Sequence, residues 1–149
     1  MAVTNAVQFE HFFREAGSLD VDKDDLRRYG EFLNHKVGDL LLRGKAAANA
    51  NSRDIIQPSD LPITKGLQED IERYREIEPQ LRLEPVLDDM TERPYLDYAY
   101  SDETEAALAD IAGGVSVALA RSFRILEPGL KNPKTADWER SFRLFDLVL

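Results

Sequence analysis

The chain contains no cysteine, and it contains only two histidines and one tryptophan among its 149 residues. Without cysteine, disulfide bonds, thiolate catalysis and cysteine-ligated zinc are excluded. No segment approaches the roughly 18 uninterrupted apolar residues of a membrane span. The N-terminal sequence MAVTNAVQFE also lacks the basic and then apolar layout of a secretion signal. We therefore expect a cytoplasmic protein without membrane contact.

The common enzyme motifs are absent as well. The sequence has no glycine-rich phosphate loop, no Gly-x-Ser-x-Gly elbow and no His-Glu-x-x-His zinc motif. His11 and Glu15 stand one helical turn apart, a spacing that can bind a metal, but such pairs are usually plain surface neighbours. We therefore expect no catalytic residue, no cofactor and no metal, and we keep a metal-dependent enzyme as the minor alternative.

Acidic residues dominate the charge of the chain, which is −9 at pH 7. Such a charge repels nucleic acid, because proteins bind it largely through lysine and arginine that displace counterions from phosphates. Residues 1–114 hold 13 basic against 24 acidic residues, whereas residues 115–149 hold 6 against 4. Any surface for a polyanion is therefore expected near the C-terminus. Its candidate residues are Arg121, Arg124, Lys131, Lys134, Arg140 and Arg143.

Apolar residues recur at helical spacing through the first half of the chain. Three phenylalanines within residues 9–13 share one face of a short helix that Gly17 can end. Asp22 then opens a run of about eight turns that should stop near the turn-forming residues 49–52. A short extended step follows, and Pro58 suits the first position of a third helix.

The second half repeats this order. Apolar residues 83–90 have the spacing of the phenylalanine helix, and Ser101 opens a second long helix that Pro128 and Gly129 end. Thr135 can then cap a last helix with an aromatic stripe. The sequence therefore predicts an all-α protein made of two copies of one three-helix unit. The predicted halves are residues 5–78 and 79–149, packed as a single compact domain of residues 1–149.

Glycines interrupt both long helices near their midpoints, at Gly38 and at the pair Gly113-Gly114. Glycine costs roughly 1 kcal/mol relative to alanine inside an exposed helix, so some gain should offset that cost. Close backbone approach is the simplest gain of this kind. We therefore predict that the two long helices cross at these glycines.

Two copies of short helix, long helix, extended loop and third helix resemble the histone fold. The run Phe12-Phe13-Arg14-Glu15-Ala16-Gly17 looks like the end of the first histone helix, and Arg53 through Asp60 is similar to the second loop of archaeal histones. Over residues 8–149, including SDETEAALADIAGGVSVALARSF and DWERSFRLFDLVL, the chain resembles a bacterial family of uncharacterised proteins with two histone folds fused in one polypeptide. The resemblance implies two tandem histone folds, packed as an intramolecular pseudodimer whose long helices cross.

The same resemblance implies a structural clamp. In histones the arginine and aspartate that correspond to Arg53 and Asp60 form an ion pair that locks the second loop. In the second half of this chain, Asn132 and Glu139 occupy the positions that would correspond to that pair.

In a histone pair each second loop runs beside the first loop of the other copy. Lys131 and Lys134 would then approach Asp20, Asp22 and Asp24. The hypothesis is that these charges mostly neutralise one another across the internal interface, as surface pairs worth about 0 to 1 kcal/mol each. The alternative for any one residue is a solvated surface of mixed charge.

The positions through which DNA-binding histones contact DNA are not basic in this sequence. The first-helix arginine falls on His11, and the first-loop basic residue falls on Asp20. The second-loop lysine and threonine fall on Asp54 and Ile55. We expect a non-enzymatic protein that acts by protein-protein interaction or as a scaffold, with an unknown protein or itself as partner. The alternative is a nucleoid-associated protein that binds DNA through the C-terminal basic face.

Overall fold

The computed structural model describes residues 2–81 and 98–149, and side chains are described for residues 6–79 and 98–149. Within these ranges the chain is helical, apart from loops and one isolated parallel β-bridge between Ile56 and Tyr100. The elements are α1 (Ala2–Gly17), α2 (Asp25–Ala50), a single 3-10 turn (Pro58–Asp60), α3 (Lys65–Leu81), α4 (Asp102–Leu126) and α5 (Thr135–Val148). The predicted all-α class is confirmed for this part of the chain, and the helix predicted over residues 83–90 lies outside the described residues.

α1 carries the predicted phenylalanine stripe into the core, where all three rings are fully buried. The helix ends at Gly17, as predicted, and Ser18 turns the chain with a left-handed φ of 56°. A Cβ on Gly17 would stand 2.5 Å from the Ala120 carbonyl oxygen. Glycine is therefore what lets this end of α1 reach the backbone of α4.

The two long helices begin with different caps. α4 begins as predicted, because the Ser101 hydroxyl accepts a hydrogen bond from the Thr104 amide at 3.2 Å. α2 begins at Asp25 rather than at the predicted Asp22. The residues before it form a turn, in which the Asp22 carboxylate accepts a hydrogen bond from the Asp24 amide at 2.9 Å.

The predicted third helix is interrupted after its first turn. Pro58–Asp60 forms only a 3-10 turn, and Leu61 is extended with a ψ of 136°. Pro62 explains the break, since proline disfavours helical backbone in the residue before it. The helix restarts as α3, where the Thr64 hydroxyl accepts a hydrogen bond from the Leu67 amide at 3.1 Å.

α4 runs through the middle of the core and contacts each of the other four described helices. Its residues 111–117 are all buried. The Tyr29 hydroxyl of α2 and the Ser116 hydroxyl of α4 share a buried hydrogen bond of 2.6 Å. Trp138 of α5 packs edge-on against Phe123, with ring centroids 4.8 Å apart.

By length and composition alone, α4 is apolar enough to cross a membrane. Within the protein, however, 67% of its most apolar stretch is buried. Its central place in the core is thus sufficient to account for its composition.

At two of the three glycines predicted to mark the helix crossing, Gly113 and Gly114, it is α3 that packs closely against α4. A Cβ on Gly114 would stand 2.5 Å from the Ile71 side chain and 3.1 Å from the Ile71 amide nitrogen. A Cβ on Gly113 would enter the Tyr74 ring, whereas no heavy atom of the described residues lies within 4 Å of the place of a Cβ on Gly38. The prediction that these glycines mark the crossing of the two long helices is therefore wrong. A close approach does occur at Gly113-Gly114, but the glycines do not reveal which helix approaches, and at Gly38 no helix of the described residues does.

Alanine at these positions should act in opposite directions. Gly38→Ala should raise the free energy of unfolding by up to about 1 kcal/mol, because the methyl meets open space and the helix gains propensity. Gly114→Ala should lower it by about 1 to 3 kcal/mol, because the methyl would overlap Ile71. Urea denaturation measures both changes. Equal effects of the two substitutions would contradict the close approach of α3 to α4.

Candidate functional site

The loop between α2 and the 3-10 turn is bonded to the start of α4 through a single residue. The Ile56 amide donates to the Ala99 carbonyl oxygen at 2.9 Å. The Ile56 carbonyl oxygen accepts from the Ser101 amide at 3.0 Å and from the Thr104 hydroxyl at 2.8 Å. The Ile56 side chain is buried. Both the polar backbone and the apolar side chain of Ile56 therefore hold the loop against α4.

A second contact joins the loop after α1 to the loop before α5. The Asp20 amide donates to the Lys131 carbonyl oxygen at 2.7 Å, so these loops are neighbours, as predicted. Their side chains do not pair: among the described residues, no ion pair links Lys131 or Lys134 to the acidic residues 20–25. The Asp20 carboxylate instead lies 3.5 Å from the Arg14 guanidinium.

Arg53 and Asp60 form the predicted ion pair. Arg53 Nη1 lies 2.7 Å from Asp60 Oδ2, and Arg53 Nη2 lies 2.6 Å from Asp60 Oδ1, which is a bidentate, charge-assisted geometry. Asp60 Oδ2 also accepts from the Gln57 amide at 2.8 Å. The Asp60 side chain is 4% exposed and the Arg53 side chain 36%. The pair therefore closes the loop that carries Ile56.

The clamp holds the pKa of the Asp60 carboxyl at about 2, below its ordinary value of 3.8. The largest cause is the hydrogen bond from Arg53, and the next is the hydrogen bond from the Gln57 amide, since both favour the ionised carboxylate. The hydrogen bond to Asp60 in turn raises the pKa of Arg53. Both partners are therefore charged at neutral pH.

The second half keeps the carboxylate of the clamp. The Asp137 carboxylate accepts from the Lys134 amide at 2.9 Å, and the Asp137 amide donates to the Lys134 carbonyl oxygen at 2.9 Å. Asp60 and Gln57 make the same two hydrogen bonds in the first half. Asp137 therefore caps the start of α5 in the same way as Asp60 caps the 3-10 turn.

No cation stands at the place before Asp137 that Arg53 has before Asp60. Seven residues before Asp137 stands Leu130, whose side chain packs against the core. Asn132 and Glu139, which the resemblance suggests as the corresponding positions, each lie two residues after Leu130 and Asp137. α5 begins at Thr135. This start places Asp137 in the first turn, where its carboxylate can cap the helix.

The residues at the histone DNA-contact positions lie at the surface. His11, Asp20 and Asp54 are exposed, and Ile55 is 49% exposed. Arg53, which stands beside them, is engaged in the clamp. The outer side of the clamped loop therefore presents a carboxylate and an aliphatic side chain rather than a cation.

The C-terminal basic residues differ in their availability. Arg121 Nη1 donates to Asp70 Oδ1 at 3.1 Å, and the Asp70 side chain is largely buried. Burial raises the pKa of Asp70, while Arg121 acts in the opposite direction. The other five are exposed and form no ion pair within the described residues: Arg124, Lys131, Lys134, Arg140 and Arg143.

Sequence reasoning misses a buried lysine on α2. Lys36 is 3% exposed, and its ammonium group meets the Asp146 carboxylate of α5 and lies 3.5 Å from the Asp39 carboxylate. The hydrogen bond from Lys36 lowers the pKa of Asp146. The sequence does contain one indication of this burial. Lys36 lies beside Leu33 and Val37, in the apolar stripe of an amphipathic helix.

In the part of the chain that the structure describes, no group of three or more His, Asp or Glu side chains is placed to bind a metal ion. His11 and Glu15 are both exposed. A shallow groove of about 290 Å³ runs along α2, lined by Asn34, His35, Gly38, Asp39, Leu42 and Tyr98. Another of about 240 Å³ lies between α3 and α4, where Arg75 and Asp110 pair at 2.9 Å.

Removal of the clamp should change how stability depends on acid pH. Because the pKa of Asp60 is lower in the folded than in the unfolded chain, the clamp contributes fully above about pH 4 and is lost toward about pH 2. Arg53→Met should therefore lower the urea midpoint at neutral pH, and its difference from the native chain should shrink between those values. Arg43→Met, on an exposed arginine without a described ion pair, is the matched control. A difference that persists at about pH 2 would contradict this role of Asp60.

Comparison with known proteins identifies the family to which this chain belongs. Residues 9–146 match the family model described as Domain of unknown function (DUF1931). Two relatives from Aquifex aeolicus (strain VF5), both described as uncharacterized proteins, are 24% identical over 108 residues and 36% identical over 105 residues. These matches cover 72% and 69% of this chain, which spans 63% and 58% of the relatives' own lengths.

Two crystal structures are similar over almost the whole chain. A protein from Thermus thermophilus is 44% identical, with a TM-score of 0.84 over 97% of both chains. A protein from Aquifex aeolicus is 22% identical, with a TM-score of 0.83 over 97% of this chain and 95% of its own, a likeness that concerns the fold alone. Because the family model covers nearly all of its residues, this chain belongs to the family described as Domain of unknown function (DUF1931), which has bacterial members.

Proposed function

We propose that the chain is a non-enzymatic, single-chain histone-fold pseudodimer that acts through protein contacts or as a scaffold, with little or no DNA wrapping. The reciprocal pairing of loops carries the proposal. The loop after α2 is bonded to the residues before α4, through Ile56 and Ser101. The loop after α1 is bonded to the residues before α5, through Asp20 and Lys131. Two interlocked copies of one unit would produce this pair of contacts, because the second loop of each copy meets the first loop of the other.

The repetition of element lengths and caps supports the same proposal. The long helices α2 and α4 have 26 and 25 residues. After each, the next helical element begins with an aspartate in its first turn, Asp60 or Asp137, which accepts a hydrogen bond from the backbone amide three residues before it. Within the described residues, a long helix followed by this type of cap therefore occurs twice, as two copies of one unit would require.

Charge at the loops favours protein contacts over DNA. Around the Ile56 contact, Asp54, Asp102 and Glu103 are exposed, and the nearby Arg53 is already engaged in the clamp. Phosphates would meet uncompensated carboxylates there, and the chain as a whole carries a charge of −9. A protein partner has no such requirement for a basic surface.

A second candidate function, direct DNA binding as a nucleoid-associated protein, is supported by the C-terminal basic face. Its five exposed side chains without a described ion pair are the available phosphate contacts: Arg124, Lys131, Lys134, Arg140 and Arg143. The metal-dependent enzyme considered from the sequence has no comparable observation in its favour.

The salt dependence of duplex DNA binding separates the two functions. For a protein that makes phosphate contacts, log K falls with log salt at a slope of about −0.9 for each phosphate neutralised. We expect the native chain to bind weakly, with a slope near zero, in fluorescence anisotropy between about 50 and 200 mM salt. A steep slope that Arg140→Ala with Arg143→Ala reduces would overturn the proposal in favour of the basic face.

Basic residues introduced by mutation at the loops should create phosphate contacts that the native loops lack. Asp20→Lys combined with Asp54→Lys and Ile55→Thr adds cations at the positions where the histone resemblance expects them. The variant should bind duplex DNA with a slope steeper by about 1 to 2 than that of the native chain. Lysines at Asp102 and Glu103 provide a charge-matched control beside the loop. Equal gains in both variants would show that net charge alone governs binding.

A further inference from the structure

Gly38 lies in the middle of α2 with open space beside it. No heavy atom stands within 4 Å of the place of its Cβ, so no contact within the described chain explains a residue that weakens a helix. Leu42, one turn later, is 53% exposed. Both line the shallow groove that Tyr98 borders. We refer to the side of α2 that includes Glu31, Gly38, Leu42 and Lys45 as the Gly38 face.

Charges of opposite sign flank Gly38 at equal distances. Glu31 lies seven residues before it and Lys45 seven residues after it, and residues seven apart return to nearly the same side of a helix. Both are exposed. Glu31 pairs with the exposed Arg27 at 3.1 Å, and the Lys45 ammonium lies 5.8 Å from the centre of the Tyr98 ring. Each charge thus has a neighbour within the chain, and both side chains are exposed at the surface that a partner would meet.

The Gly38 face is complementary to itself when a second copy of the helix runs antiparallel. If Gly38 faces Gly38 of the second copy, each Glu31 faces a Lys45, because residues at equal offsets from the crossing oppose each other. The missing Cβ at the crossing lets the two backbones approach closely. Each exposed Leu42 is covered beside the crossing. A parallel pair would instead oppose like charges, which is unfavourable.

We infer that the Gly38 face is a self-association surface, on which a second copy of this chain packs antiparallel with the two α2 helices crossing at Gly38. The assembly is a two-fold symmetric dimer of the whole protein. The interface is a single helix crossing with two exposed ion pairs, so the dimer is weak and depends on protein concentration. This inference rests on α2 alone and does not depend on the histone-fold assignment.

The absence of cysteine provides a direct test of the crossing. Gly38→Cys places a single thiol on each chain, and a disulfide between two copies requires Cα atoms about 4.4 to 6.8 Å apart. Gly66→Cys is the matched control, because Gly66 is exposed and also has open space at its Cβ. We expect Gly38→Cys to form the covalent dimer at least about tenfold faster than Gly66→Cys under mild oxidation. Equal rates for the two folded variants would overturn the inference.

Charge reversal tests the antiparallel register. Glu31→Lys and Lys45→Glu should each reduce the dimer fraction in sedimentation velocity, because each opposes like charges across the interface. The double variant Glu31→Lys with Lys45→Glu restores opposite charges and should recover the native dimer fraction. Failure of the double variant to recover would overturn the proposed register. A dimer fraction unaffected by either single reversal would overturn the surface itself.

Discussion

The backbone of Ile56 joins the first half of the molecule to the start of α4, and the surrounding residues keep it in place. Three hydrogen bonds use its amide and its carbonyl oxygen, and its side chain is buried. The Arg53–Asp60 pair closes the same loop from the other side. Because Asp60 also accepts from the Gln57 amide, one carboxylate fixes both the loop and the turn that follows it. This small set of bonds joins the loop after α2 to the start of α4, in addition to the core contacts between the two helices.

A second constraint on the fold is the pair of glycines, Gly113 and Gly114, in the middle of α4. Ile71 and Tyr74 occupy the space that Cβ atoms of Gly113 and Gly114 would need, so α3 packs directly on the α4 backbone. The same stretch of α4 contains Ser116, whose hydroxyl bonds to both the Ala112 carbonyl oxygen and the Tyr29 hydroxyl. The continuously buried stretch of α4, residues 111–117, therefore has the Ser116 hydroxyl paired and its two most crowded positions occupied by glycine.

The sequence predicts the features that depend on local chemistry. Helical spacing locates the amphipathic helices, and the cap at Ser101 and the end of α1 at Gly17 follow from single residues. The Arg53–Asp60 pair follows from a resemblance whose residues lie close together in the chain. These predictions succeed because the determining residues are near neighbours in sequence.

Features set by tertiary packing are not predicted as well. The partner of Gly113-Gly114 is α3, because the glycine pattern contains no information about which helix approaches. The capping carboxylate of α5 is Asp137, which becomes evident only once the start of that helix is known. The burial of Lys36 depends on Asp146, more than a hundred residues away in the chain.

In our proposal the clamp fixes the Ile56 loop and thereby keeps the two halves in register. The outer side of that loop lacks the basic residues needed to bind DNA. Amide hydrogen exchange in Arg53→Met tests the first part most directly, because it reports local opening at individual residues. We expect faster exchange at the Ile56 and Ser101 amides and no change at the Asp20 amide of the opposite loop pair. Unchanged exchange at Ile56 and Ser101, or equal acceleration at Asp20, would contradict this role of the clamp.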